Sequence, residues 1–284
     1  MAVWKTLIPP HALAEALGRP DWVIVDTRFD LAAPQSGRAA YAAGHIPGAH
    51  YAHLDDDLAG PIRPDTGRHP LPDPSALAAR LGEWGLSDTS QLVVYDDSGG
   101  ALAARLWWLT RWLGHDAVAV LDGGLTGWRE LGLPLEAKEP VARQHGITPR
   151  ERPELAIATP ELAAALAAND VLLVDARAAA RFRGEVEPID TRAGHVPGAV
   201  SHPFQENLGA DGRFLAEREL RARYQALLCG REAAELVSMC GSGVTACHNL
   251  LALEHAGLHG ARLYVGSWSE WIRDPRRPIA TAAK

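Results

Sequence analysis

A chain of 284 residues has room for one large domain or two of ordinary size, and 47% apolar with 22% charged residues is the balance of a folded globular protein. A net charge of −7 argues against the basic patch that a nucleic-acid or anionic-membrane partner would need. Three cysteines do not make a disulfide framework, the N-terminus from Met1 to His11 holds no signal-type apolar run, and no stretch approaches a membrane span. The setting expected is a reducing cytoplasm, where a free thiol persists.

In chain order, the first half predicts helix over 10–17 with Pro10 at its start, strand over 22–26, helix over 75–84, strand over 91–95, helix over 101–113 and strand over 117–121. A polar stretch from Gly132 to Arg152 with Pro134, Pro140 and Pro149 lacks periodicity and reads as a linker, placed at 136–152. The second half predicts helix 160–168, strand 171–174, helix 217–228, strand 235–239, helix 244–255 and strand 262–265. Strands alternating with helices imply an α/β fold, a mostly parallel sheet covered on both faces. The expected domains are 1–135 and 153–284.

The two halves are written alike. Val23-Ile24-Val25-Asp26-Thr27-Arg28 with Gly44-His45-Ile46-Pro47-Gly48-Ala49 returns as Leu172-Leu173-Val174-Asp175-Ala176-Arg177 with Gly194-His195-Val196-Pro197-Gly198-Ala199. The offset is 150 residues from Gly44 to Gly194 and narrows to 143 from Trp128 to Trp271, so the first half carries about seven extra residues after its Gly-His-Ile-Pro-Gly segment. Two copies at this period mean a duplicated domain and not a solenoid. On this offset Asp97 falls opposite Cys240.

Cys240 ends a strand and opens the loop Cys240-Gly241-Ser242-Gly243-Val244-Thr245, which runs into a helix. The carboxyl end of a strand in a parallel sheet is where such folds bind ligands. Glycines let backbone N–H groups turn inward, and the start of the helix adds unpaired donors and a positive dipole end. Such a ring, from Gly241 through Gly243, Val244 and Thr245, should stabilise a thiolate and lower its pKa, and would also hold the outer sulfur of a persulfide. Most lone cysteines are inert buried thiols, which is the reading kept for Cys229 and Cys247. The loop and its position reverse it for Cys240.

The duplicated Asp-x-Arg and Gly-His-[Ile/Val]-Pro-Gly-Ala patterns, the Cys-Gly-Ser-Gly-Val-Thr-Ala loop and Gly266-Ser267-Trp268-Ser269-Glu270-Trp271 together resemble the two-domain rhodanese family of sulfurtransferases over nearly the whole chain. The resemblance implies two tandem rhodanese-like domains, the first inactive with Asp97 in place of the cysteine. It implies sulfur taken from 3-mercaptopyruvate or thiosulfate onto Cys240 as a persulfide and passed to cyanide or a thiol. The Gly-Ser-Gly loop is similar to the branch that uses 3-mercaptopyruvate, whereas the thiosulfate branch usually places basic residues at the positions of Gly241 and Ser242.

The same resemblance assigns Arg181 to the donor carboxylate, a task that suits the bidentate guanidinium fork. A second family arginine, after a Glu-Pro pair, is missing here because Ile189 follows Glu187-Pro188; Arg183 and Arg192 are the alternatives. A proton relay of Ser242, His69 and Asp55 is also implied, with His69 and Asp55 on the long first-half segment. A neutral imidazole can shuttle protons near pH 7. His45 and His195 are expected to orient turns. The other histidines lack zinc spacing and no dinucleotide or phosphate loop is present, so neither metal nor cofactor is expected.

Two other classes compete. A phosphatase of this fold needs Arg six positions after the cysteine to bind phosphate, and Ala246 stands there. A non-catalytic binding module is contradicted by Cys240. The expected partners are a small-molecule sulfur donor and a thiol acceptor, with a protein thiol such as thioredoxin left open, and neither nucleic acid nor membrane.

Overall fold

The computed structural model describes residues 3–141 and 144–281; Met1, Ala2, Ala142 and Arg143 of the expected linker, and Ala282, Ala283 and Lys284 at the end of the expected second domain lie outside the described residues. By their contacts the residues divide into two units. The first comprises residues 3–60, Pro72–Arg152 without 142–143, and Ala210–Phe214; the second comprises Pro61–Leu71, Pro153–Gly209 and residues 215–281. The long first-half segment thus groups, over Pro61–Leu71, with the unit that holds Cys240.

Each unit is an α/β layer structure on one five-stranded parallel sheet. In the first, β1 (Leu7–Ile8), β2 (Trp22–Asp26), β3 (Ala49–Tyr51), β4 (Gln91–Tyr95) and β5 (Val118–Leu121) lie in the order β1-β5-β4-β2-β3. In the second, β6 (Ala156–Ile157), β7 (Leu172–Asp175), β8 (Val200–Ser201), β9 (Leu236–Met239) and β10 (Arg262–Tyr264) repeat it as β6-β10-β9-β7-β8. The central strands are continuous apolar runs because helices cover both faces, and β4, β5 and β9 are buried throughout. Leu13, Ile24, Ile46, Val93, Tyr95 and Trp128 pack one core, and Leu162, Leu173, Val237, Met239 and Trp268 its counterpart. Each such side chain contributes about 1.5–3 kcal/mol on burial.

The edge strands, two or three residues long, are too short to carry a period and were not foreseen. The helices over Ser36–Ala43, Gly124–Glu130 and Ser267–Trp271 also emerge only in the folded chain. The stretch 136–152, read as a linker, is strapped to the first unit where described: Glu136 bridges His45, His145 N–H bonds Gly82 O, and Arg152 pairs with Asp116 at 2.6 Å.

The repeated motifs turn out to be one device. Arg28 and Arg177 are buried, bond Asp26 and Asp175 at 2.6 and 2.7 Å, and donate to the carbonyls of Gly44 and Gly194 at 2.9 and 2.7 Å. The Asp-x-Arg strand end therefore grips the Gly-His-x-Pro-Gly turn. His45 and His195 complete each turn, stacked 3.9 Å from Tyr41 and Phe182 and hydrogen-bonded to those residues' carbonyls.

One expectation is corrected. Strand register pairs Asp26 with Tyr95 and Asp175 with Met239, so the residue equivalent to Cys240 is Asp96 and not Asp97. The motif offset of 143 was taken from the Gly-x-x-x-x-Trp segments, whereas β4 and β9 are 144 apart, one residue having been lost between strand and motif. Asp96 is buried, and its Oδ1 accepts from Ser98 and Gly100 N–H at 2.8 and 2.9 Å, its Oδ2 from Leu102 and Ala103 N–H at 2.8 Å each. The carboxylate fills its own loop. Asp96→Ala should leave these donors without an acceptor and cost at least about 3 kcal/mol, read as a lower urea midpoint at unchanged slope; an unchanged midpoint would show that water replaces the carboxylate freely.

Candidate active site at the end of the second sheet

Cys240 follows β9 and is 2% exposed. Its Sγ accepts hydrogen bonds from the backbone N–H of Ser242 at 3.4 Å and of Gly243 at 3.1 Å. Gly243 has φ +80°, and a Cβ there would stand 2.5 Å from Val265 O, so only glycine brings that N–H to the sulfur. The helix expected from Val244 begins at Ala246, because residues 241–245 are drawn out around the sulfur. Val244 is buried and Thr245 stands at the helix N-cap position without a side-chain capping bond.

The segment 267–271 pins this loop from outside. Cys240 N–H donates to Ser267 Oγ at 3.0 Å, Trp268 N–H to Cys240 O at 3.0 Å, and Ser269 N–H to Gly241 O at 2.9 Å. Ser267 adopts φ +51°, a conformation L-residues avoid. The first unit has Gly124 at this place with φ +55°. The serine hydroxyl, tied to Cys240 N–H and Tyr264 O, offsets a strain that glycine escapes.

The 61–71 segment arrives beside the loop through its own anchors. Gly67 packs against Gly266, where a Cβ would meet the carbonyl oxygen at 2.5 Å, and Arg68 N–H donates to Ser269 Oγ at 3.0 Å. His69 is then buried with its Nδ1 2.7 Å from Ser242 Oγ. The two residues are 173 apart in sequence. Asp55 lies exposed on the short helix Leu54–Asp57 of the first unit.

Arg181, on the turn Ala179–Phe182, approaches the open face of Gly241: its Nη1 and Nη2 lie 3.6 and 3.7 Å from the point a Cβ would occupy. Glu187 holds it through 2.7 and 3.2 Å bonds, and Asp190 through one of 3.1 Å. Burial would raise the pKa of Glu187, but the Arg181 bonds and the backbone N–H groups of Asp190 and Ile189 outweigh it and leave it below the ordinary carboxylate value. The anchor stays charged near neutrality. Arg183 instead pairs with Glu185 at the surface, and Arg192 uses its carbonyl to hold Trp268 Nε1.

Three residues of this site were not singled out beforehand: Arg68, Asp190 and Ser267. Arg68 adjoins His69 and Asp190 closely follows Glu187-Pro188, but a lone charge in a loop carries no periodic or spacing signal. Of the remaining thiols, Cys229 is exposed, and Cys247 is buried with its S–H directed to Gly243 O at 3.3 Å.

A model of the "Rhodanese-like domain" matches residues 9–131 and 158–274. A Pseudomonas aeruginosa protein provisionally named 3-mercaptopyruvate sulfurtransferase is 53% identical over 97% of this chain and 98% of its own length. A Mycobacterium tuberculosis protein provisionally named thiosulfate sulfurtransferase SseB is 40% identical, over 97% of this chain and 96% of its own. Among solved structures, the 3-mercaptopyruvate sulfurtransferase from Leishmania major superposes with a TM-score of 0.83 at 31% identity, covering 95% of this chain and 76% of that one. With two matched domains, relatives of this closeness across nearly its full length, and a cysteine at the carboxyl end of the second sheet, the chain belongs to the rhodanese family of sulfurtransferases.

Proposed function

We propose that the chain transfers sulfur from 3-mercaptopyruvate to a thiol or cyanide acceptor through a persulfide on Cys240. The observation that carries this reading is the Sγ cradle: two loop N–H groups meet the sulfur, and the loop itself bears no charge. In the first half-reaction the Cys240 thiolate attacks the donor sulfur. The carbon–sulfur bond breaks, its electron pair passes to the methylene carbon as the enolate of pyruvate, and a proton delivered there gives pyruvate. Ser242 and His69, already hydrogen-bonded, are the group that supplies the proton. Asp55 joins that relay on the family resemblance. In the second half-reaction an acceptor thiolate or cyanide attacks the outer sulfur and releases the Cys240 thiolate. No net oxidant is required.

Arg181 holds the donor carboxylate, and the N–H groups of Ser242 and Gly243, with those of Gly241, Val244 and Thr245 around them, receive the anionic sulfur. Neither metal nor cofactor has a step in this scheme. Acceptors are small thiols, or a protein thiol of the thioredoxin kind, and neither nucleic acid nor a membrane is a partner. No helix among the described residues is long and apolar enough to cross a membrane. The free cysteines suit the reducing cytoplasm that we propose as the setting.

The test is a comparison of donors with one acceptor. The expected kcat/KM is higher for 3-mercaptopyruvate than for thiosulfate, and replacing Gly241 with Arg and Ser242 with Lys should move the ratio toward thiosulfate. A wild type that prefers thiosulfate would overturn the reading and favour the activity for which the Mycobacterium tuberculosis relative is named.

A further inference from the structure

A cavity of about 270 Å³ lies in the first unit at the amino ends of β2 and β3, whereas the Asp96 loop follows the carboxyl end of β4. Trp22, Trp84 and His50 line it, with Arg19, Pro20 and Pro47. Trp84 is buried just past the helix Pro74–Glu83, and Trp22 and His50 are half-buried on their strands. Arg19 is the one formally charged side chain of the lining, and Asp21 compensates it through bonds of 2.7 and 3.1 Å. His50 is different: its ring has no hydrogen-bond or ion-pair partner among the described residues. Burial alone acts on it and pushes its pKa down to about 4. The imidazole is therefore neutral near pH 7, with one donor and one acceptor nitrogen left over.

The duplicated fold shows that this lining is not a requirement of the architecture. Strand register places Val171 and Val200 of the second unit where the first has Trp22 and His50. The offset of 144 that relates β4 to β9 places Leu228 opposite Trp84. Two aromatic rings and a polar one thus stand, in one copy alone, where plain aliphatic side chains complete the other. A concave apolar site with few polar groups is the usual form of a small-molecule pocket.

We propose that the cavity binds a small neutral heteroaromatic molecule of two fused rings, packed against Trp22 and Trp84 and hydrogen-bonded to His50. The size follows from volume, since a cavity of about 150 Å³ takes a single benzene ring. Neutrality follows from the lining, in which the only formal charge is already paired. An aromatic ligand suits indole walls, and its ring nitrogens would satisfy an imidazole that otherwise loses water without a partner. The first unit, whose own loop is filled by Asp96, would then carry a ligand site at the other end of its sheet.

Benzimidazole, titrated by calorimetry at pH 8, is the probe. It should bind with a Kd below about 1 mM. 1-Methylindole, the same bicycle with its N–H blocked and no acceptor nitrogen, should bind about threefold to tenfold more weakly, as for loss of one hydrogen bond. His50→Val should weaken benzimidazole by a similar factor and leave 1-methylindole unchanged; His50→Gln, which keeps a donor and an acceptor, should recover part of the loss. Trp84→Leu should weaken both probes about tenfold. Val200 and Leu228 show that the fold accepts such side chains at these places, and an unchanged urea midpoint in His50→Val checks it. Benzimidazole that does not bind, that binds no better than 1-methylindole, or that binds both variants as tightly as wild type would overturn the proposal.

Discussion

Cys240→Ser should lower turnover by a factor on the order of 10⁴ to 10⁶, to the level of the uncatalysed exchange, while the protein stays folded. Serine fits where the 2%-exposed thiol sits, and its oxygen can accept the same two N–H groups. It lacks the polarizable nucleophile and cannot carry a second sulfur. The matching positive result is one added sulfur on the Cys240 peptide of wild type after treatment with donor, seen by mass spectrometry and reversed by an acceptor thiol. Exposed Cys229 provides the internal control, since a reagent that merely oxidises thiols should reach it first. Transferable sulfur found on Cys229 or Cys247, with Cys240 unmodified, would remove the assignment.

His69→Ala should lower kcat by about 10²-fold or more with a smaller change in KM, and should flatten the pH dependence of kcat near neutrality. The reason is its 2.7 Å bond to Ser242, within a buried pair beside the sulfur. Removing the imidazole leaves the enolate without its proton source, while Arg181 can still hold the donor. Ser242→Ala should resemble it. The double variant should lose little more than either single one, because members of a relay act as a unit. Additive losses would leave Ser242 as an independent hydrogen-bond donor and His69 as a packing residue. Wild-type kinetics in His69→Ala would take the 61–71 segment out of the chemistry altogether.

The repeated Asp-x-Arg and Gly-His-x-Pro-Gly strings, the alternation of strand and helix, and the glycine-punctuated cysteine loop were all local signals. They were legible because parallel strands buried on both faces must be short apolar runs, and because a loop that turns N–H groups inward needs glycine at set places. Duplication, layer architecture and the position of Cys240 at a strand end followed from them. The identity of the cysteine's counterpart did not: a string match slips by one residue across a deletion, whereas strand register paired Asp26 with Tyr95 and so assigned Asp96.

Tertiary structure alone decided who stands beside the sulfur. Arg68 and Asp190 come from separate loops and Ser267 opens a short helix, and nothing in such a segment's own sequence states which distant backbone it will meet. Ser267 becomes legible only when its hydroxyl is seen bonding Cys240 N–H, which explains a serine where the first unit has Gly124. Arg68 becomes legible only when Gly67 is seen to bring the chain against Gly266, too close for any side chain, and to set the guanidinium over Gly241. Local propensity determined the strands, the turns and the nucleophile, since each needs only its near neighbours. The charge of the site was decided by pairs 9 to 122 residues apart, Arg181 with Asp190 and Arg68 with Asp190, because electrostatics depends on distance in space and not along the chain.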